Sequence, residues 1–497
     1  AGDVAGAAGA RNISGTPIEP TPYQIAWYAQ YDNLFNEDIP THAAVDSAGN
    51  LIVAGSTYFT ANENDIQIIK LDSEGNLLWE YDYNGDGDHY EVVYRLKIDA
   101  DDNVIVTGES WGLNFSIQWA TIKLDRDGNQ LWVRRYAGDN PQASQYPQGL
   151  DVSSSGAVGV TGWARDASFL NTFFTAVLYD ADGTLLFDIP DPEGRGFQGT
   201  GKAVAFDPMG NLIATGNIDD DDEFGNEMLT TKIAPDGAVL WAVRHDVSED
   251  PFFNLTTGSS VITDNAGDIY VGYKGVGSAD GDARVIKYDA DGAMLWDIPI
   301  APGGSDVQLA FRADGSILAS VYAGLATVQL TALTPAGTVL WDADADAAYS
   351  SSNPAGHFTP LSNGTTATID QVGTDIALVI HDAQGQFVSS TRVDSGSGSD
   401  AARAIVAGDG GEVYLLSQVQ TEILSRRDYA VFRMDPAPPT CPADLAEPFG
   451  QLDFSDVAAF LSAFATSAPQ ADLAEPFGQW DFSDISAFLA TFGAGCP

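Results

Sequence analysis

Six segments of the chain share one ending. A turn glycine is followed, four residues on, by a large aromatic: Trp79 in GNLLW, Trp132 in GNQLW, Phe187 in GTLLF, Trp241 in GAVLW, Trp296 in GAMLW and Trp341 in GTVLW. These aromatics lie 53, 55, 54, 55 and 45 residues apart. Ala43 to Tyr83 shows what fills one period. AAVD meets a turn at Ser47-Ala48-Gly49-Asn50, then come LIVAGST, a polar loop, DIQIIKLD, a second turn at Ser73-Glu74-Gly75-Asn76, and LLWEYDY. Glycine-centred turns between short apolar, β-branched runs predict four antiparallel strands. One such sheet cannot bury both its faces, so copies must pack against each other. A period near fifty with four strands per copy predicts the blades of a β-propeller.

Inner-strand sets occur near Ala43, Val93, Leu150, Ala203, Val261, Val307, Phe358 and Ile405, which predicts eight blades, with seven as the alternative. The seventh set is degenerate, because its outer strand, GQFVSSTRV, has no tryptophan. The eighth, Ala402 to Met434, has no outer strand of its own. YQIAWYAQY (Tyr23–Tyr31) is an outer strand without inner ones, and its Trp27 falls 52 residues before Trp79. This N-terminal strand is therefore expected to complete the last blade, closing the ring and removing its free edges. The reading divides the chain into an N-terminal arm (1–20), a propeller (21–435), a Pro-rich linker (436–440) and a C-terminal module (441–497).

Charge narrows the function classes. Asp and Glu number 70 against 22 Lys and Arg, a formal net charge of −48. Such a surface repels nucleic acid and anionic membranes and suits cations or basic partners. No apolar run reaches the length of a membrane helix. The sequence opens AGDVAGAAG without methionine, as a processed secreted chain does.

The C-terminal segment holds a second repeat. ADLAEPFGQLDFSD (443–456) returns as ADLAEPFGQWDFSD (471–484), and VAAFLSAF or ISAFLATF follows. Val457, Phe460, Leu461 and Phe464, and again Ile485, Phe488, Leu489 and Phe492, share the i, i+3, i+4, i+7 spacing of one helix face. Each copy is thus an acidic loop feeding an amphipathic helix, and the two helices should pair. This arrangement resembles the dockerin fold, with EF-hand-like calcium loops each followed by a helix. The CPADL…GCP frame is similar to the GC-type dockerins that end planctomycete secreted proteins. The resemblance covers Cys441 to Pro497. It implies calcium ligands at loop positions 1, 9 and 12, which are Asp444, Asp453 and Asp456 in the first copy and Asp472, Asp481 and Asp484 in the second. The AEPFG insertion replaces the usual Asx pair at the intervening positions, where Glu447 and Glu475 are the available carboxylates. Asp456 and Asp484 also suit helix caps. Cys441 and Cys496 flank the helices and are expected to form a disulfide tying the module's ends, in an oxidising, extracellular setting. Phe449, Phe477 and Trp480 are loop aromatics placed to anchor a contact.

Within the propeller, Asp82, Asn84, Asp86 and Asp88 have the D-x-N-x-D-G spacing that opens a calcium loop, with Asp88 or Glu91 as the far ligand. KLDSEGNLLW and KYDADGAMLW resemble the tryptophan-docking pattern of quinoprotein dehydrogenases, which implies a Trp of one blade packing on the next blade's turn; no vicinal cysteines accompany it. The five histidines are scattered, with no H-E-x-x-H or G-x-S-x-G spacing. Together these features lead to the expectation of a secreted, calcium-stabilised structural or interaction protein that is not an enzyme. Its partner would be a second copy of the chain or a cohesin-like receptor. The alternative is a surface glycan-binding or carbohydrate-active propeller with the tail as a tether.

Overall fold

The computed structural model describes residues 23–31, 38–60, 63–87, 89–112, 115–138, 140–165, 171–194, 198–219, 226–246, 256–275, 282–302, 304–323, 327–344, 358–372, 374–395, 399–420, 427–436, 452, 454–465, 471 and 482–494. One compact unit contains residues 26–433 and a second contains 434–497.

The first unit is an eight-bladed propeller, each blade a sheet of four strands. Blade 1 runs from its inner strand Asp38–Val45 through Leu51–Thr60 and Glu63–Leu71 to its outer strand Leu77–Tyr83. The inner strands of blades 2 to 7 are Glu91–Ile98, Tyr146–Val152, Gly199–Phe206, Thr257–Thr263, Gly304–Phe311 and the short Phe358–Pro360. Blade 8 takes Asp400–Ala407, Val413–Gln420 and Arg427–Pro436 from late in the chain and its outer strand, Tyr23–Tyr31, from early in it. The inner strands pack in chain order, and that of blade 8 meets that of blade 1, so the ring closes as the sequence led us to expect.

The second strands are apolar at successive positions because both faces of every sheet are covered. Leu51 and Val53 pack toward blade 8 with Tyr414, Leu416, Tyr429 and Val431. Ile52 and Ala54, on the opposite face, pack toward blade 2 with Val104, Val106, Ile122 and Leu124. A slip of one residue would exchange the two faces, but both are apolar. Register is held instead by the turns. In blade 1, Gly49 has φ +80°, and the Asp46 carboxylate accepts the Ala48 and Asn50 N–H groups at 3.0 and 2.8 Å.

The recurring aromatics are clamps between blades. Trp79 donates its indole N–H to Arg126 O in the last turn of blade 2 (3.1 Å) and lies against Gly128 of that turn. Gly128 has φ +85°, and a Cβ there would stand 2.7 Å from the indole, so both backbone and contact demand glycine. Trp27, Trp132, Trp241, Trp296 and Trp341 make the same bond to Ser73, Ala181, Ala290, Pro335 and Ala383. The docking resemblance thus holds in its structural part.

A buried lysine on the third strand reinforces the clamp. Lys70 pairs with Asp46 of its own blade at 2.7 Å and donates to Arg126 O of the next at 2.9 Å. Lys123 with Asp99 and Lys232 with Asp207 repeat the arrangement; in blade 5 Lys287 pairs instead with Asp268, four residues beyond the counterpart position, which is Asp264. In blade 6 the cation has moved to the first turn, where Arg312 still reaches Ala383 O. Arg433 of blade 8 reaches Ser73 O.

The second unit contains helices α1 (Phe454–Ala465) and α2 (Phe482–Ala494). They pair through Phe460 and Phe488, whose rings stack at 4.1 Å and 12°, with Val457, Phe464, Ile485 and Phe492 around them. Leu461 and Leu489 fall outside this seam and are 55% and 57% exposed. The expected helix face was too broad, because two helices bury only a narrow stripe of each.

Candidate ligand site on the ring axis

Seven of the eight inner strands carry an irregularity at matching places. The register shifts between Pro40 and His42, Val93 and Arg95, Pro147 and Gly149, Gly201 and Ala203, Gly258 and Ser260, Gly304 and Val307, and Ala402 and Ala404. A bulge leaves its extra residue out of the ladder and re-aims the neighbouring side chains. The bulges of blades 3 to 6 supply Gln148, Lys202, Ser259 and Asp306, all of which line one cavity of about 430 Å³. Arg95 from blade 2, Asn217 from blade 4, Thr257 and Lys274 from blade 5 and Gln308 from blade 6 complete it. The site is built by an arc of five consecutive blades.

Its chemistry is one-sided. None of the nine lining residues is apolar, whereas ligand pockets are usually walled by hydrophobic groups. Three are cations and one, Asp306, is an anion. The Arg95 guanidinium donates to Tyr94 O at 2.7 Å, and burial lowers its pKa. Ser259 is already committed: Val307 N–H donates to its hydroxyl at 2.8 Å, joining blades 5 and 6. Lys202 and Lys274 are half-buried and form no ion pair or hydrogen bond among the described residues.

A second cluster lies between blades 7 and 8. Asp375, Asp394 and Asp400 place carboxylate oxygens within 4.8 Å of one another. Asp375 is paired with Arg392, and Thr374 Oγ1 donates to it at 2.9 Å. Asp400 accepts Ser395 N–H at 2.9 Å and its hydroxyl at 2.5 Å. Burial, with the charges of Asp394 and Asp375, pushes the Asp400 carboxyl up to about 6 despite those bonds. Among the described residues this is the one group of three such side chains close enough to share an ion.

The residues singled out from the sequence are placed as follows. Asp82 ends the outer strand of blade 1, accepts Gln67 Nε2 at 3.1 Å, and has its pKa raised by burial. Asn84 follows it. Asp86 is exposed, 3.6 Å from the Arg135 guanidinium, and Asp88 lies outside the described residues. Glu91 is fully buried beneath this loop. Its Oε1 accepts Ser110 Oγ at 3.0 Å and Trp111 N–H at 3.2 Å, Gly85 N–H also donates to it, and burial pushes its carboxyl up to about 7. Asp456 and Asp484 are buried in the first turns of α1 and α2, where the helix N-terminus favours a carboxylate. The helices begin at Phe454 and Phe482, so both aspartates stand inside the first turn and not at the cap position expected for them. Asp444, Asp453, Asp472, Asp481, Cys441, Cys496, Phe449, Phe477 and Trp480 all lie outside the described residues.

Sequence reasoning missed the axial cations. The signal available was position: Lys70, Lys123, Lys232 and Lys287 stand nine residues before a docking tryptophan, and Lys202 and Lys274 do not.

No family model and no curated relative matches this chain. Among solved structures it is similar to Sqt1 of Chaetomium thermophilum, bound to the N-terminus of the ribosomal protein L10, at 11% identity, covering 80% of this chain and 97% of that one with a TM-score of 0.49. It is also similar to the dihydro-heme d1 dehydrogenase NirN (14% identity, 80% and 76% covered, TM-score 0.48) and to the polysaccharide lyase Uly1 (10%, 82% and 91%, 0.44). Likeness at this level is one of fold and assigns no activity. Among the described residues no helix is long and apolar enough to cross a membrane.

Proposed function

We propose that this chain is a non-catalytic binding protein that takes an anionic ligand on the axis of a clamped ring. One observation carries the reading. The chain has seven lysines, and Lys70, Lys97, Lys123, Lys232 and Lys287 each pair with an aspartate. The two that pair with none among the described residues, Lys202 and Lys274, line the same cavity with Arg95. In a chain with 70 carboxylates, two half-buried ammonium groups that meet no carboxylate among the described residues are open to a ligand's negative group.

The wider setting is that of a secreted, extracellular interaction protein. Calcium would be held by the Asp375–Asp394–Asp400 cluster and, as the dockerin resemblance implies, by the loops before α1 and α2. Self-assembly or receptor binding would use the C-terminal module with its Phe449, Phe477 and Trp480.

Calorimetric titration of the full chain with a panel of small anions tests the main reading. Binding should weaken by about tenfold or more in the Lys202→Gln, Lys274→Gln double variant, the loss expected for charge-assisted hydrogen bonds. No heat with any anion, or equal binding by the variant, would refute it. For calcium, chelation should lower Tm, because an ion that binds only the folded state stabilises it; an unchanged Tm at low salt removes calcium from the proposal.

A further inference from the structure

Building on that reading, we infer that the axial ligand is a sugar acid: a polyhydroxylated molecule bearing a single carboxylate. The cavity's charges are unevenly placed around the arc. Arg95, Lys202 and Lys274 come from blades 2, 4 and 5, whereas Asp306 stands at the far end, on blade 6. Asp306 is exposed and pairs with neither lysine, so its carboxylate is open to a ligand at the cavity's rim, and an ionised carboxylate only accepts hydrogen bonds. A ligand that satisfies both ends must offer an anion to the cations and a donor to Asp306. Fully ionised sulfate or a dicarboxylate has no donor to give. A sugar hydroxyl does.

The rest of the lining agrees. Gln148 and Gln308 carry primary amides that donate and accept, the complement of a row of hydroxyls. With no apolar residue in its lining, the cavity offers little to a ligand with a hydrophobic body. A volume of about 430 Å³ suits a ring-sized molecule, whereas a lone oxyanion would leave most of it to water. The field of the whole protein adds a limit. With a formal charge of −48 the surface repels approaching anions in proportion to their charge. A monoanion with many neutral polar groups is repelled least while still placing a carboxylate among the three cations.

The test is calorimetry on the full chain with glucuronate, glucose, sulfate, succinate and glutamate, repeated on Asp306→Asn and on the Lys202→Gln, Lys274→Gln double variant. Glucuronate should bind at least about tenfold more tightly than glucose or sulfate, the worth of a charge-assisted bond. Asp306→Asn should weaken glucuronate several-fold without weakening sulfate, whose repulsion it relieves, and the double lysine variant should weaken both. Sulfate or succinate binding as tightly as glucuronate, with no effect of Asp306→Asn, would overturn the sugar-acid assignment and leave a plain anion site. Preferred binding of glutamate, sensitive to Asp306→Asn, would also overturn it, in favour of a zwitterion. Binding of none of these anions would overturn the proposed function itself. If circular dichroism shows a variant to be misfolded, the wild-type comparison decides: glucose equal to glucuronate refutes the inference.

Discussion

The buried lysine and its aspartate behave as one unit, and the molecule contains its own control. At the Lys70 and Asp46 positions blade 3 has Leu178 and Ser153, so both charges are absent together. The reason is desolvation: a buried ion pair is tolerable, and half of one is not. Burial alone would raise the Asp46 carboxyl, but hydrogen bonds from Lys70 and Asn50 outweigh it and hold the group below its usual range. Lys70→Leu alone should therefore destabilise by about 3–5 kcal/mol, as should Asp46→Ser to a smaller extent. The double change, imitating blade 3, should cost less than the sum of the two by about 1–3 kcal/mol. Denaturant melts of the four proteins measure this coupling, and strictly additive losses would show that the pair does not act together.

At the scale of the element, the weak blade has a topological cause. Blade 7 places Ser389 at the docking-tryptophan position, Ile380 at the lysine position and Leu361 at the aspartate position. A clamp from blade 7 would have to grip the last turn of blade 8. That turn does not exist, since the third and outer strands of blade 8 (Arg427–Pro436 and Tyr23–Tyr31) come from distant parts of the chain. The aromatic and the cation would have nothing to bind. Blade 3 differs: its Phe187 lies against Gly237, and a complete turn is present. Phe187→Trp should then gain an indole bond to Pro235 O and raise stability by about 0.5–1.5 kcal/mol, whereas Ser389→Trp should gain nothing. Calorimetric melts compare them, and a stabilised Ser389→Trp would contradict the account. Amide exchange should also be faster in Phe358–Val393 than in blades 1, 2, 4 and 5, where the clamps are complete.

The whole molecule balances two opposed sets of carboxyls. In Glu91, Glu109 and Asp400, burial raises the folded pKa to about 7, about 7 and about 6, against 4.5 or 3.8 ordinarily. The folded state then keeps protons the unfolded chain has lost, so these groups cost stability as pH rises from the ordinary value through the folded one. Asp46, Asp99 and Asp207 are lowered by their bonds despite burial; their contribution is present above 3.8 and disappears as pH falls through the folded values. Mutual repulsion at −48 adds to the loss at high pH. Stability should peak near about pH 4–5 and decline toward neutrality, and added salt should recover part of the decline by screening. Scanning Tm from about pH 3 to 8 at two salt concentrations checks this; a Tm that climbs steadily to pH 8 would refute it.

Periodicity was enough to read the blades and the closing strand and to favour eight blades over seven, while the tryptophan clamp was implied by the docking resemblance. The lysine nine residues before an aromatic has the same period, but its role appeared only in the structure. The blades rest on a local rule repeated in the chain, glycine four residues before an aromatic. The paired helices were legible for the same reason. The axial site was not, because its residues are strung between positions 95 and 308 and meet only when five inner strands converge, and because the bulges that aim them break the strict alternation that a sequence pattern reports. Lys202 and Lys274 look like ordinary charged residues until the structure shows that no carboxylate of the described residues pairs with them. The acidic cluster is likewise a product of closure. Asp375 belongs to blade 7 and Asp400 to blade 8, and only the packing at that unclamped seam sets their charges together and drives one carboxyl toward neutrality. Local propensity and period decide what each blade is. Where like charges are brought near and which cations gather on the axis depend on distances across the ring, and those belong to the tertiary structure.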